Sequence, residues 1–245
     1  MVFLKKIILD NIPKKFLEKL SRKYVKTVNG RISFAQDGED VVLKSLIDID
    51  PLYQPNFRNG FFVDIGAHHP IWLSNTFYFY SQLGWSGINI DAAPDSKKEF
   101  EKVRPRDLTL EIGVSGKDEF ISFFIFDKPE YNTFSETVAI KVISECRAQL
   151  VDKCQIETMT LGHILDKHLP SGKRIDFLTI DVEGLDLEVL LSNNWIKYRP
   201  RYILAELVTE KIDQLMTNEL FEYLTSLNYD CVSATHRTKI FKSQF

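Results

Sequence analysis

Hydrophobic and polar positions along this chain alternate between two rhythms. Short, nearly unbroken apolar runs occur at Phe61–Ala67, Gly87–Asp91 and Ile175–Asp181, and each reads as a buried parallel strand. Between and around them apolar residues recur at helical spacing. The pattern predicts a helix from Ser33 to Ile47 with Val42, Leu43 and Leu46 facing inward, and a linker marked by Pro51, Pro55, Asn59 and Gly60. Ser74 caps a helix that ends at Gly84, and Pro94 opens one that runs through Val103. Leu108–Val114 reads as a third core strand and Phe120–Phe126 as an added strand, followed by a loop over 127–136. A helix from Thr137 to Leu150 leads into a strand ending at Met159, and Thr160 caps a helix through His168. Further on come a helix over Gly184–Leu191, a strand over Tyr202–Leu207, a helix over Leu220–Leu227, and two terminal strands, Tyr229–Ala234 and Thr238–Phe241. The expected fold class is α/β: a Rossmann-like parallel sheet with helices on both faces, closed by an antiparallel hairpin.

Asp64, Asp91 and Asp181 lie at the carboxyl ends of three predicted strands, where open α/β sheets bind their ligands. Gly66 follows Asp64 and lets the backbone approach a ligand closely. Asp91 lies 27 residues beyond Asp64, a position from which a carboxylate accepts hydrogen bonds from a ribose diol. A dinucleotide fingerprint would need glycines where His68 and Ile71 stand, and the chain has no Gly-x-x-x-x-Gly-Lys phosphate loop. These features suit a nucleoside without a pyrophosphate. S-adenosylmethionine is such a ligand, and a nicotinamide dinucleotide is disfavoured.

The chain resembles the FkbM-type methyltransferases over about residues 32–210. The segments that carry the resemblance are Ser33-Phe34-Ala35-Gln36-Asp37-Gly38-Glu39-Asp40, Phe62-Val63-Asp64-Ile65-Gly66-Ala67-His68, Ser74-Asn75-Thr76, Gly84-Trp85-Ser86-Gly87 and Ile180-Asp181-Val182-Glu183-Gly184. One departure is His69-Pro70, where many members have a glycine two residues after the equivalent of Ala67. The resemblance implies a class I methyltransferase domain at 56–245, preceded by an N-terminal helical extension at 1–55. It also implies S-adenosylmethionine as cofactor and a hydroxyl acceptor, on a nucleotide-linked sugar or a surface-polysaccharide precursor. Candidate cofactor contacts are Gln36, Asp64, Gly66, Ala67, Ser74, Asn75, Asp91, Ala92 and Asp181. A small-molecule or N-methyltransferase, or a catalytically inactive nucleotide-binding scaffold protein, stands as the alternative.

Methyl transfer to a hydroxyl needs alignment, exclusion of water and a group that takes the proton. Candidate catalytic residues are His69, Asp181 and Glu183, with His69 or Glu183 as general base. A second arrangement has Asp181, Glu183, Glu206 and His69 holding Mg²⁺ or Mn²⁺, hard ions suited to oxygen ligands and an imidazole. His163 and His168 are expected at the surface, Phe77 and Tyr80 in the core.

The net charge of −3 gives no electrostatic footprint for nucleic acid. No apolar run approaches the ~18 residues of a membrane span. Cys146, Cys154 and Cys231 form no Cys-x-x-Cys pair and read as free thiols in a reducing cytoplasm. Residues 1–27 read as a basic amphipathic helix after Pro13, without the apolar core of a signal peptide. Such a helix packs on its own domain, on a second subunit of a homo-oligomer, or on an anionic surface, and packing is the favoured expectation.

Overall fold

A computed structural model describes residues 32–182, 184–208 and 212–245, so the basic amphipathic stretch at 1–27 lies outside the described residues. Phe34–Phe245 form one compact unit. Its elements in chain order begin with α1 (Glu39–Ile49), β1 (Phe61–Ile65), α2 (Phe77–Leu83), β2 (Ser86–Asp91), α3 (Ser96–Val103) and β3 (Leu108–Glu111). They continue with β4 (Gly113–Val114), β5 (Glu119–Phe126), α4 (Glu136–Ser144), β6 (Leu150–Met159), α5 (Leu161–His168), β7 (Phe177–Ile180) and α6 (Asp186–Leu191). The last are β8 (Tyr202–Glu206), α7 (Glu219–Ser226), β9 (Tyr229–Ala234) and β10 (Thr238–Ser243).

The main sheet has seven strands in the order β3-β2-β1-β7-β8-β10-β9. The five strands from β3 to β8 are parallel, and β10 runs antiparallel to both β8 and β9. This is the class I methyltransferase arrangement, with the terminal hairpin at one edge. Continuous apolar runs make the inner strands because both faces of the sheet are covered. Phe61, Val63, Ile65, Leu178, Ile180 and Ile203 pack on one side against Leu161, Ile164 and Leu165 of α5, Val189 and Leu190 of α6, and Leu220 and Leu224 of α7. The alternate residues Phe62, Phe177, Tyr202 and Leu204 pack on the other side against Leu43 and Ile47 of α1 and Phe79 and Leu83 of α2.

Helix α1 is tied down at its end as well as along its face. Asp50 accepts hydrogen bonds from Arg201 Nε at 2.9 Å and from the Tyr202 hydroxyl at 2.7 Å. Burial opposes ionisation of Asp50, but these bonds hold its carboxyl well below the usual carboxylate range.

Besides shifts of two or three residues at helix starts, such as α2 beginning at Phe77 with Thr76 rather than Ser74 at its N-cap, three elements differ from the sequence pattern. The first helix starts at Glu39 rather than Ser33, because Gly38 takes a left-handed φ of +87° and Phe34–Gly38 cross the surface as a strap. The apolar run Leu108–Val114 divides between two sheets: Leu108–Glu111 joins the main sheet, while Gly113–Val114 pairs with β6 in a second sheet of order β4-β6-β5. Helix α4 stops at Ser144 instead of Leu150, since Cys146 has a φ of +53° and the chain turns into β6.

Candidate active site

The carboxyl ends of β1, β2, β7 and β8 open into a cavity of about 730 Å³. Gln36, Asp64, Gly66, Ala67, Ser74, Asn75, Asp91, Ala92, Asp181 and Glu206 all line it.

Strand β1 delivers Asp64 and Gly66. The N–H groups of Gly66 and Ala67 both donate to Ile90 O on β2, which turns the loop across the strand ends. Gly66 has a φ of +78°, and a Cβ there would lie 1.8 Å from the carbonyl oxygen of Asp181. Only a glycine allows β1 and β7 to approach so closely at this turn. Asp91, at the end of β2, accepts the N–H of His68 at 2.6 Å through one oxygen and the N–H of Ala93 at 2.8 Å through the other. Each oxygen keeps a second acceptor site. Burial raises the Asp91 carboxyl, and the two N–H donors offset this only in part.

Asp64 is only 5% exposed and accepts the hydroxyl of Thr76 at 2.6 Å. Burial raises its carboxyl to about 6. The loop after β1 is held from outside by the strap. Phe34 O accepts the N–H of Ser74, and the Phe34 ring meets Phe77 edge-on at 4.8 Å between centroids. Asn75 donates to Thr179 Oγ1 at 3.0 Å, tying the same loop to β7. At its far end the strap reaches the β9–β10 turn, where Arg237 Nη1 donates to Asp37 at 3.2 Å and Glu39 accepts the hydroxyls of Thr235 and Thr238. Gln36 therefore faces the cavity between two anchored points, one at Ser74 and one at the hairpin.

His69 is placed differently from its expected catalytic role. Its Nδ1 accepts the N–H of Ile71 at 3.0 Å and of Trp72 at 2.9 Å. An Nδ1 that accepts carries no proton, so the neutral ring is protonated on Nε2 and presents a donor. Burial and then the neighbouring His68 push its pKa down. His69 thus supports the loop through Ile71 and Trp72, and it is not among the residues that line the cavity. Glu183 lies outside the described residues. Among the described residues no three His, Cys, Asp or Glu side chains gather to hold a metal ion, so the Mg²⁺ or Mn²⁺ arrangement finds no support. His163 is exposed and pairs with Asp118 at 2.6 Å, as a surface histidine.

The outer wall holds residues that sequence reasoning did not single out. Ile112, Gly113 and Val114 continue from β3. Phe123, Glu130, Phe134, Lys141 and Arg147 come from β5, from α4 and from the loops flanking it, and Arg237 comes from the terminal turn. None of these has a local signal in the chain. Those from 112–147 reach the cavity because the second sheet folds over the end of β3, while Arg237 arrives on the β9–β10 turn of the main sheet.

The cavity fits a nucleoside with an amino-acid tail. Asp91 offers a doubly held carboxylate, the bulky His68 leaves no phosphate cradle, and Asp64 and Asp181 supply anionic groups. A family model described as the methyltransferase FkbM domain matches residues 64–231. The chain belongs to the FkbM methyltransferase family. Among solved structures, this FkbM-family chain is similar to methyltransferase FkbM from Methylobacillus flagellatus KT at 11% identity and a TM-score of 0.42, covering 76% of this chain and 44% of that one. The FkbM-family chain thus spans less than half the length of that relative. It is also similar to the METTL16 MTase domain, at 13% identity and a TM-score of 0.45, covering 85% of this chain and 67% of that one. A TehB-like SAM-dependent methyltransferase from Corynebacterium glutamicum ATCC 13032 Kitasato matches at 8% identity and a TM-score of 0.41, covering 95% of this chain and 100% of that one. No curated protein matches the FkbM-family chain. Among its described residues no helix is long and apolar enough to cross a membrane.

Proposed function

We propose that the protein transfers the methyl group of S-adenosylmethionine to a sugar hydroxyl, on a nucleotide-linked sugar or a surface-polysaccharide precursor. The observation that carries the cofactor half is Asp91, whose two oxygens are each held by one backbone N–H beside the glycine turn at Gly66. The acceptor half draws on family membership and on the polar side chains Gln36, Glu206 and Arg237 that line the cavity.

When bound, the cofactor supplies an activated methyl group on a sulfonium. The protein's task is then to bind, align and keep out water. Asp91 holds the ribose hydroxyls. The backbone at Gly66 and Ala67 and the side chain of Asn75 define the path of the amino-acid tail. Asp64 and Asp181 favour a cationic donor over a neutral product, which aids exchange but not the transition state. Asp181, at the end of β7, accepts the acceptor's proton. Glu206 and Gln36 orient the hydroxyl by accepting and donating hydrogen bonds. His69 serves as a loop support.

The test is thermal unfolding with S-adenosylhomocysteine, with NADH as control. Ligand at about a hundredfold over Kd adds ~2.7 kcal/mol, a midpoint rise of roughly 5–10 °C for a chain of this size. A rise with S-adenosylhomocysteine alone supports the cofactor reading, and a rise with NADH alone overturns it. Production of S-adenosylhomocysteine from a panel of nucleotide-linked hexoses, but not from phenols or amines, then tests the acceptor.

A further inference from the structure

Behind Asp64 lies a fully buried cation that neither the family pattern nor the catalytic reading uses. Arg104, just after α3, has 0% exposure. Its Nε donates to Asp107 Oδ2 at 2.7 Å, and its Nη1 donates to Thr76 Oγ1 at 3.0 Å and, more weakly, to Ser74 Oγ at 3.4 Å. Its Nη2 has no hydrogen-bond partner. The guanidinium lies 5.2–5.4 Å from the ring centroids of Phe62, Tyr80 and Phe100.

Thr76 links this cation to the cavity. Its oxygen accepts from Arg104, so its single proton is directed to Asp64 Oδ2 at 2.6 Å. Asp107 has its own donors besides Arg104, namely the N–H of Gly87 at 3.0 Å and the side-chain amide of Asn89 at 3.1 Å. A stability role alone would be met by the Arg104–Asp107 pair. It does not explain why the other end of the guanidinium is turned onto the hydroxyl that serves a cavity-lining acid.

We propose that Arg104 is a positioning residue that acts through Thr76 to keep Asp64 ionised and aimed into the cofactor cavity. The proposal rests on the cofactor reading of that cavity. In a dry site a charge-polarised chain of hydrogen bonds is stronger than its parts, and the cation at its end offsets the burial of the carboxylate. The acids around Asp64 oppose it: Asp91 at the end of β2 and Asp107 behind Arg104 both favour the neutral carboxyl, and Asp181 ends the neighbouring strand β7. Arg104 and the Thr76 hydroxyl pull the other way. With its carboxyl at about 6, Asp64 is mostly ionised at pH 7, and the loss of Arg104 would move that balance to higher pH.

The experiment is isothermal titration of the full chain with S-adenosylhomocysteine from pH 5.5 to 9, for the wild type and for Arg104→Met, Arg104→Lys and Thr76→Val. Wild-type affinity for the ligand's ammonium end is expected to weaken as pH falls through about 6. In Arg104→Met the same weakening begins about one pH unit higher, so affinity falls ~twofold at pH 7 and ~eightfold at pH 5.5, while affinity at pH 9 stays within about threefold of wild type. Arg104→Lys restores the wild-type profile in part. Thr76→Val leaves the Arg104–Asp107 pair in place and shifts the profile in the same direction, so it carries the test if Arg104→Met fails to fold. Profiles that stay parallel to wild type, with affinity lost equally at every pH, overturn the proposal and leave Arg104 as a packing residue. No binding by the wild type at any pH would overturn the cofactor reading and this proposal with it.

Discussion

The two walls of the cavity are built in opposite ways. On the inner wall each side chain is committed twice, once to the core and once to the cavity. Asp91 holds two backbone N–H groups, Asn75 is bonded to β7, and Asp64 is bonded to Thr76. On the outer wall Glu130, Lys141 and Arg147 are exposed, and they rise from a three-stranded sheet whose longest strand, β6, is largely exposed. The Lys141 carbonyl accepts the N–H of Glu145, while its side chain makes no hydrogen bond or ion pair among the described residues. An inner wall of this kind is preorganised and rigid, which suits the part of a ligand that never changes. An outer wall carried on loops and an accessory sheet can change without disturbing the core, which suits a variable acceptor.

The largest test of this contrast is Gly66→Ala. A methyl group 1.8 Å from the Asp181 carbonyl cannot be accommodated by rotating a side chain, because Asp181 N–H is itself bonded to Ile65 O. The two strands would have to part. We expect a loss of ~3 kcal/mol or more, a melting midpoint lower by roughly 10 °C, and no detectable binding of S-adenosylhomocysteine. A variant with wild-type melting and affinity would show that the inner wall is not rigid.

Asp91→Ala comes next. It removes a carboxylate that faces the cavity and frees the N–H groups of His68 and Ala93 at a solvent-accessible edge. We expect affinity for S-adenosylhomocysteine to fall ~100-fold, or ~2.7 kcal/mol, with a change in melting midpoint of only a few degrees without ligand. Equal losses of stability and affinity would mean that Asp91 is mainly a strand cap.

How far these walls can be read in the sequence follows from the same contrast. The strands of the inner wall are buried on both faces, so each appears as a continuous apolar run with an acid or glycine at its ligand end, and Asp64, Gly66, Asp91 and Asp181 could be found that way. The run Leu108–Val114 misleads because nothing local marks Ile112 as a boundary. Gly113 is the reason for the break: a Cβ there would come within 2.6 Å of Phe134 and 2.7 Å of Thr158, contacts that exist only once the second sheet has formed. Helix α4 reads too long because Cys146 and Arg147 carry no breaker signal, yet Arg147 N–H closes onto Val142 O past the helix end. Arg104 stays hidden because a single arginine before a proline looks like a surface residue. Its burial depends on Phe62, Tyr80 and Thr76 brought from elsewhere in the chain, besides Phe100 one turn before it. His69 could be located but not interpreted, since its role rests on which ring nitrogen the following N–H groups choose.

A third test lies where the walls meet. Glu206 ends β8, faces the cavity, and lies beyond the strands that hold the cofactor contacts. Glu206→Gln keeps its shape and removes its charge. We expect the turnover rate with the best sugar acceptor to fall ~10–100-fold, as for loss of a group that orients or polarises the acceptor. Affinity for S-adenosylhomocysteine should stay within about twofold. A change in cofactor affinity as large as the change in rate would move Glu206 to the inner wall.

The smallest effect concerns the loop that joins the walls. His69 caps the N–H groups of Ile71 and Trp72 through an unprotonated Nδ1, while the Trp72 side chain is 70% exposed. Burial and His68 lower the pKa of His69, so the folded loop binds the proton less readily than the unfolded chain. The contribution is therefore complete above the unfolded value of about 6.5 and is lost as pH falls below it. Each cap contributes ~1 kcal/mol or less, too little to unfold the domain but enough to open the loop. Chymotryptic cleavage after Trp72 is expected to speed up severalfold between pH 7.5 and pH 5.5 in the wild type, relative to a reference peptide that corrects for the protease's own pH dependence. In His69→Ala cleavage should be fast throughout. In His69→Asn it should be slow at both pH values, because an asparagine oxygen accepts the same N–H groups without titrating. Identical pH dependence in all three proteins would mean that the loop is held by the strap and by Ser74 alone, and that the histidine in place of the family's glycine neither supports the loop nor senses protons.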